Sequence, residues 1–184
     1  MLSALVALSL VQASAAAPAP VPVQAPQGWT VAASDGGCLV HTAQRAGTVL
    51  SVFALPEEGG IGFLLQNTKW TELEDGQIYP LSIRFDDGRE WPIPALARTQ
   101  IDEDGPGLFF AIPPGGEKEG RNFIEDFSRA AGMRIANGGA LYDNLRLTDS
   151  RGATLALAQC LRTMIEGEGN PFSNSEGART ATRI

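Results

Sequence analysis

The residues best suited to chemistry in this chain are a single histidine, His41, and two cysteines, Cys38 and Cys160. A hydrolase built on a serine or cysteine needs a nucleophile, a base beside it and a group that orients the base. His41 follows Cys38 by three positions inside a strand-forming run, Cys38-Leu39-Val40-His41-Thr42, and no serine stands in a Gly-x-Ser-x-Gly elbow. We therefore read His41 as a strand side chain on the solvent face and assign no catalytic residue. A small hydrolase using His41 or a carboxylate pair is the rival reading. One histidine and two cysteines better spent on a disulfide do not make an ordinary closed zinc site. The acidic loops Asp86-Asp87 and Asp102-Glu103-Asp104 would serve calcium only if they adjoined, and neither has EF-hand spacing. No carboxylate pair is marked for glycoside hydrolysis. The Gly-Gly pairs lack the following lysine of a phosphate loop. No metal and no cofactor are expected.

The two cysteines carry a firmer expectation. They stand near opposite ends of the central region, which in an oxidising compartment reads as one disulfide. The bridge would tie the first strand region to the last helix. The other reading is a pair of unbridged buried thiols; a redox role lacks the Cys-x-x-Cys spacing. Trp70 and Trp91 each flank an apolar strand, so each either fills the core or anchors a partner at the surface.

Oxidation implies export, and the chain opens accordingly. Residues 2–11 are an apolar run of about ten residues, in the range of a signal h-region and too short to span a bilayer. Ala13-Ser14-Ala15 then supplies an A-x-A cleavage pattern, placing a signal peptide at 1–15. No lysine or arginine precedes the run. Residues 16–27 form a Pro/Ala-rich linker with polyproline character. Residues 28–166 form one α+β domain, and 167–184, rich in Gly, Ser, Asn and Thr, read as a disordered tail. No later segment is apolar enough to cross a membrane as a helix. The formal charge of −7 repels nucleic acid and anionic lipid surfaces. Periplasmic or extracellular localisation follows.

The elements that would position these residues are mostly strands. Four β-prone runs at 29–33, 38–42, 48–55 and 61–65, separated by turn residues, predict an antiparallel meander. Residues 78–85 alternate with Tyr79, Leu81, Ile83 and Phe85 inward, and Asp86-Asp87-Gly88 turns the chain toward Trp91. Pro80 argues for a sheet edge or a bulge. Residues 92–100 are ambiguous, and 108–112 are a strand. Phe123 and Phe127 mark an amphipathic helix over 121–131. Asn137-Gly138 joins two further strands, and Ser150 caps a helix over 152–165. The fold class is α+β: a mostly antiparallel β-sheet or sandwich, with two amphipathic helices in the C-terminal half.

The order Asn67-x-x-Trp70, Tyr79 in an alternating strand, Phe85-Asp86-Asp87-Gly88, Trp91, Phe123 to Phe127, Leu145-x-Leu147 and a helix ending at Cys160 resembles a group of small exported proteins of Gram-negative bacteria. The likeness runs over residues 29–160 and lends no catalytic residue. A fainter similarity connects the chain to the invasion-associated locus B family, whose several cysteines are lacking here, so that function is not carried over. The leading expectation is a periplasmic or secreted non-enzymatic domain that binds another protein, such as another envelope protein. A small-ligand carrier with an apolar cavity beneath the sheet is the third class.

Overall fold

The computed structural model describes residues 25–34, 37–55, 60–86, 88–101, 104–113, 118–138 and 140–166. The expected signal peptide (1–15), most of the linker and the tail (167–184) lie outside the described residues. The strands are β1 (Thr30–Ser34), β2 (Gly37–Ala43), β3 (Val49–Leu55), β4 (Gly60–Gln66), β5 (Ile78–Phe85), β6 (Glu90–Arg98), β7 (Gly107–Ile112), β8 (Gly132–Asn137) and β9 (Ala140–Arg146). Helix α1 (Lys118–Arg129) precedes β8, and α2 (Ser150–Glu166) follows β9. The nine strands among the described residues form one antiparallel sheet in the order β1-β2-β3-β4-β7-β6-β5-β8-β9. The sheet curls into a half-barrel with the helices in its C-terminal half, an α+β fold that is mostly β.

The ambiguous segment after Trp91 is β6, and its prolines explain both the ambiguity and a split in the sheet. Ala97 donates its N–H to Gln77 on the β5 side. N–H groups alternate in direction along a strand, so positions 92 and 94, where Pro92 and Pro94 have none, face β7. There β6 pairs with β7 only over Leu96, Ala97 and Arg98. Pro80 lies opposite Pro94, one residue before the β5–β8 ladder begins at Leu81. The prolines therefore sit where the ladders stop, and β6 and β7 diverge beyond them.

Helix α1 begins and ends earlier than the periodicity predicts, at Lys118 and Arg129 rather than 121 and 131. Its exit is clamped by Asp86, whose carboxylate accepts from the N–H groups of Ala131 (3.1 Å) and Gly132 (2.8 Å). Asp86 holds a positive φ of 45° to do so, as the β5–β6 turn requires. The cap of α2 is also displaced by one residue. Asp149, not Ser150, accepts from the N–H of Gly152 at 3.1 Å. The Ser150 hydroxyl instead donates to the Ala130 carbonyl, joining the two helices.

The concave side is closed by an aromatic cluster. Phe123 sits edge-on to Phe63, Phe85, Trp91 and Phe110, with centroids 5.0–6.1 Å apart. Phe127 meets Trp29 and Phe63 in the same way. Cys38 on β2 and Cys160 on α2 form the expected disulfide, with Cα atoms 6.0 Å apart and both residues buried.

The two ends of the rolled sheet are joined by side chains rather than by a ladder. Gln44 donates from Nε2 to the Arg146 carbonyl at 3.1 Å and accepts the Arg146 N–H at Oε1 at 3.0 Å. Trp29 Nε1 donates to the Thr148 carbonyl at 2.7 Å. The Thr48 hydroxyl donates to Asp143 and accepts from Asn67. Unpaired edges of this kind would otherwise template other strands.

Candidate functional site

The convex face of the sheet is where sequence and structure together place groups with chemical potential. Strands β3 and β4 are apolar at both parities, so burying one set of side chains beneath the sheet leaves a second set outside. The register aligns Thr30, His41, Ser51, Leu64, Phe109, Leu96 and Ile78 in one row across seven strands. Beside it run Leu39, Phe53, Gly62 and Ala111. Phe53 lies flat over Gly62, where a Cβ would meet its ring at 2.6 Å, and stacks on Phe109 at 6.0 Å and 22°. Leu39, Phe53, Leu64, Leu96 and Phe109 are half-buried, and Ile78 is 60% exposed.

Within this face lies a groove of about 330 Å³ holding His41, Ser51, Gln66 and Asp104 among its walls. The segment leading into β7 folds over one end of it. Gly105 at φ +90° turns its carbonyl toward Gln66 Nε2, 3.4 Å away, and carries Asp104 to the rim. His41 and Ser51 are cross-strand partners, which sets their Cβ atoms about 4.5–5.5 Å apart. Ser51 is 7% exposed. Neither side chain forms a hydrogen bond among the described residues, so the imidazole is not oriented by a carboxylate and the hydroxyl is not engaged by the imidazole. The arrangement brings a base and a hydroxyl together without the fixed hydrogen bonds of an activated nucleophile.

The sequence reading placed His41 on the solvent-facing side of a strand, and it lines this outer face half-buried. Ser51 beside it stands in no catalytic motif. The signal for the pairing is present: His41 and Ser51 are equidistant from Ala46, at the centre of the loop where Gln44 and Thr48 pair and Gly47 takes φ +92°. Trp70 and Trp91 are 6% and 9% exposed. Trp70 packs edge-on to Tyr142 at 5.6 Å. Trp91 lies under Arg89, 3.6 Å from the ring centroid, and donates to Asp126 at 3.2 Å. Both rings belong to the buried core. Of the acidic loops, Asp86 is spent on its backbone clamp, and Asp102 and Glu103 lie outside the described residues. Among the described residues no three His, Cys, Asp or Glu side chains are grouped to hold a metal. The space beneath the sheet, where a carrier would hold its ligand, is occupied by Phe63, Phe123, Phe127 and Met133. No described helix is long and apolar enough to cross a membrane.

Comparison of the chain with protein-family models, with curated proteins and with solved structures finds no match.

Proposed function

We propose that the protein is an exported, non-enzymatic binding module that contacts another envelope protein through the convex face of its sheet. The observation that carries this reading is the apolar patch that two adjoining rows make from β2 to β5, with Leu39 and Phe53 half-buried in one row and Leu64, Phe109 and Leu96 half-buried in the other, which ends at the exposed Ile78. Six strands at about 4.8 Å span roughly 24 Å, enough for one side of a standard interface. Contiguous apolar surface of this kind marks interaction sites on soluble proteins. Export is supported by the apolar leader with its A-x-A site and by the buried disulfide, which is compatible with an oxidising compartment. The likeness to small exported proteins of Gram-negative bacteria agrees with it.

The test is capture of partners from the periplasm by the tagged mature protein. Leu64→Glu and Phe109→Glu are expected to weaken capture by at least about tenfold, because a charge placed in the centre of an apolar contact is desolvated without a partner. Thermal unfolding checks that both variants remain folded. Capture unchanged in both variants would remove the convex face from the mechanism.

A second reading, a small hydrolase, is favoured by one observation: His41, Ser51 and Asp104 line the same groove. It makes the opposite forecast for a different measurement. With ester and amide substrates, the binding-module reading expects any turnover to be the same in the parent protein, His41→Ala and Ser51→Ala. A loss of about a hundredfold or more in both variants, at unchanged stability, is the scale that removing a working base or nucleophile produces and would replace the first reading.

A further inference from the structure

The chain is acidic, with a formal charge of −7, yet one of its cavities is lined by two arginines and no carboxylate. This cavity, about 360 Å³, lies at the seam of the rolled sheet, between the β2–β3 turn and the end of β9. Thr42, Gln44 and Arg45 contribute from one side, and Asn144, Arg146 and Thr148 from the other. The seam itself holds the arginines together. Gln44 grips the Arg146 backbone through both its N–H and its carbonyl, and Arg45 is the next residue after Gln44. Two cations are thus fixed on adjoining pieces of backbone.

Nothing among the described residues neutralises them. Neither arginine forms an ion pair there; the two salt bridges belong to Arg89 and Arg129. The neighbouring acids are engaged elsewhere, Asp143 with Thr48 and with the Asn144 N–H, and Asp149 with the Gly152 N–H. A second observation points into the same cavity. Thr42 is 7% exposed, and its hydroxyl has no hydrogen-bond partner among the described residues. No side-chain polar atom sealed from solvent lacks a partner there, so this hydroxyl keeps some contact with solvent, on a residue that lines the cavity. The Asn144 side-chain amide is likewise unpartnered.

We infer that the seam is a binding site for a phosphate group, held between Arg45 and Arg146 with Asn144 and Thr42 as further donors. Two guanidinium forks, an amide and a hydroxyl supply more N–H and O–H donors than the two oxygens of a carboxylate accept. A phosphate monoester offers three terminal oxygens and a charge of about −1.5 to −2, matched to two cations. The site uses side chains of a sheet seam and so lies outside the glycine-loop and helix-terminus modes of phosphate binding. It is separate from the convex face and stands or falls independently of the role proposed there.

The experiment titrates the full-length mature protein with inorganic phosphate at low ionic strength, following heat and the amide signals of Arg45, Asn144 and Arg146. A dissociation constant of about 1 mM or tighter is expected, with acetate at least about fivefold weaker. Arg45→Gln with Arg146→Gln should weaken phosphate binding by about tenfold or more at an unchanged unfolding temperature, since both side chains are exposed. Gln44→Ala keeps both cations but loosens their spacing, and should weaken binding as well. Vesicles containing phosphatidic acid separate the two sources of phosphate. Binding that free phosphate displaces identifies a lipid headgroup as a source for the same site; phosphate binding without vesicle binding identifies a soluble ligand. The inference is overturned by no response to phosphate up to about 20 mM, by equal affinity in the double variant, or by vesicle binding that phosphate does not displace.

Discussion

Replacing Cys38 and Cys160 together by alanine is expected to lower the stability of the fold by about 5 kcal/mol and its unfolding temperature by about 10–20 °C. The bridge closes a sequence separation of 122 residues, from the second strand to the last helix, so almost the whole domain lies inside the loop. In the chain-entropy account the unfolded state loses most when the loop is longest. A loss of this size is comparable to the entire stability of many domains, which is about 5–15 kcal/mol. The bridge also fixes α2 where little else holds its far end. Beyond Cys160 the described contacts of the helix are those of Leu161 and Met164, whose sulfur lies 3.1 Å from Cys38 Sγ. Met164→Leu, which keeps the volume, should cost less than about 1.5 kcal/mol and serves as the control. Because Cys38 and Cys160 are 1% and 4% exposed, reductant should open the bridge only after denaturant is added. A shift of less than about 3 °C in the double variant would show that packing alone holds α2.

The parts of this architecture that are legible in the sequence are those governed by neighbours. The Asp86 turn and the Asn137-Gly138 hairpin carry their own turn chemistry, and the strands on either side pair as that chemistry dictates. The first four strands form the expected meander for the same reason. What escapes is decided at a distance. After β4 the chain skips two sheet positions, and β7 returns to pair with it; no local signal distinguishes that order from a continued meander. Pro92 and Pro94 make β6 unreadable, because whether a proline is tolerated depends on which side of the strand has a neighbour, and that is a property of the sheet. The groove escapes for a similar reason. Its lining comes from β2, β3, β4 and the segment before β7, and Asp104 reaches it only because Gly105 turns that segment back. The second apolar face is legible in the run at 49–55, which apart from Ser51 is apolar at both parities where a half-exposed strand would alternate. The seam cavity has no sequence signature, since Arg45 and Arg146 meet only when the sheet has rolled.

Phe123→Ala is expected to cost about 4 kcal/mol, the second-largest single effect, because this ring occupies the split that the prolines create. On one side of the split, Phe63 of β4 and Phe110 of β7 stack at 5.1 Å, and Phe123 stands edge-on to both. On the other side, Phe85 of β5 and Trp91 of β6 meet the same ring at 5.0 and 5.4 Å. The two halves of the sheet share a ladder of only three residue pairs here, Leu96 to Arg98 with Phe109 to Gly107, so their relative position depends on what fills the gap. Truncation to alanine removes the transfer free energy of a ring that is 1% exposed and leaves a cavity lined by four rigid aromatics, which relax poorly into it. Phe123→Leu retains much of the volume and should cost about half as much. Phe53→Ala on the convex face removes a side chain of equal size from a half-buried position and should cost only about 1–2 kcal/mol. Urea unfolding of the three variants, followed by tryptophan fluorescence, measures the order directly. Equal losses for Phe123→Ala and Phe53→Ala would mean that α1 does not hold the sheet together and that the convex face is buried as deeply as the concave one.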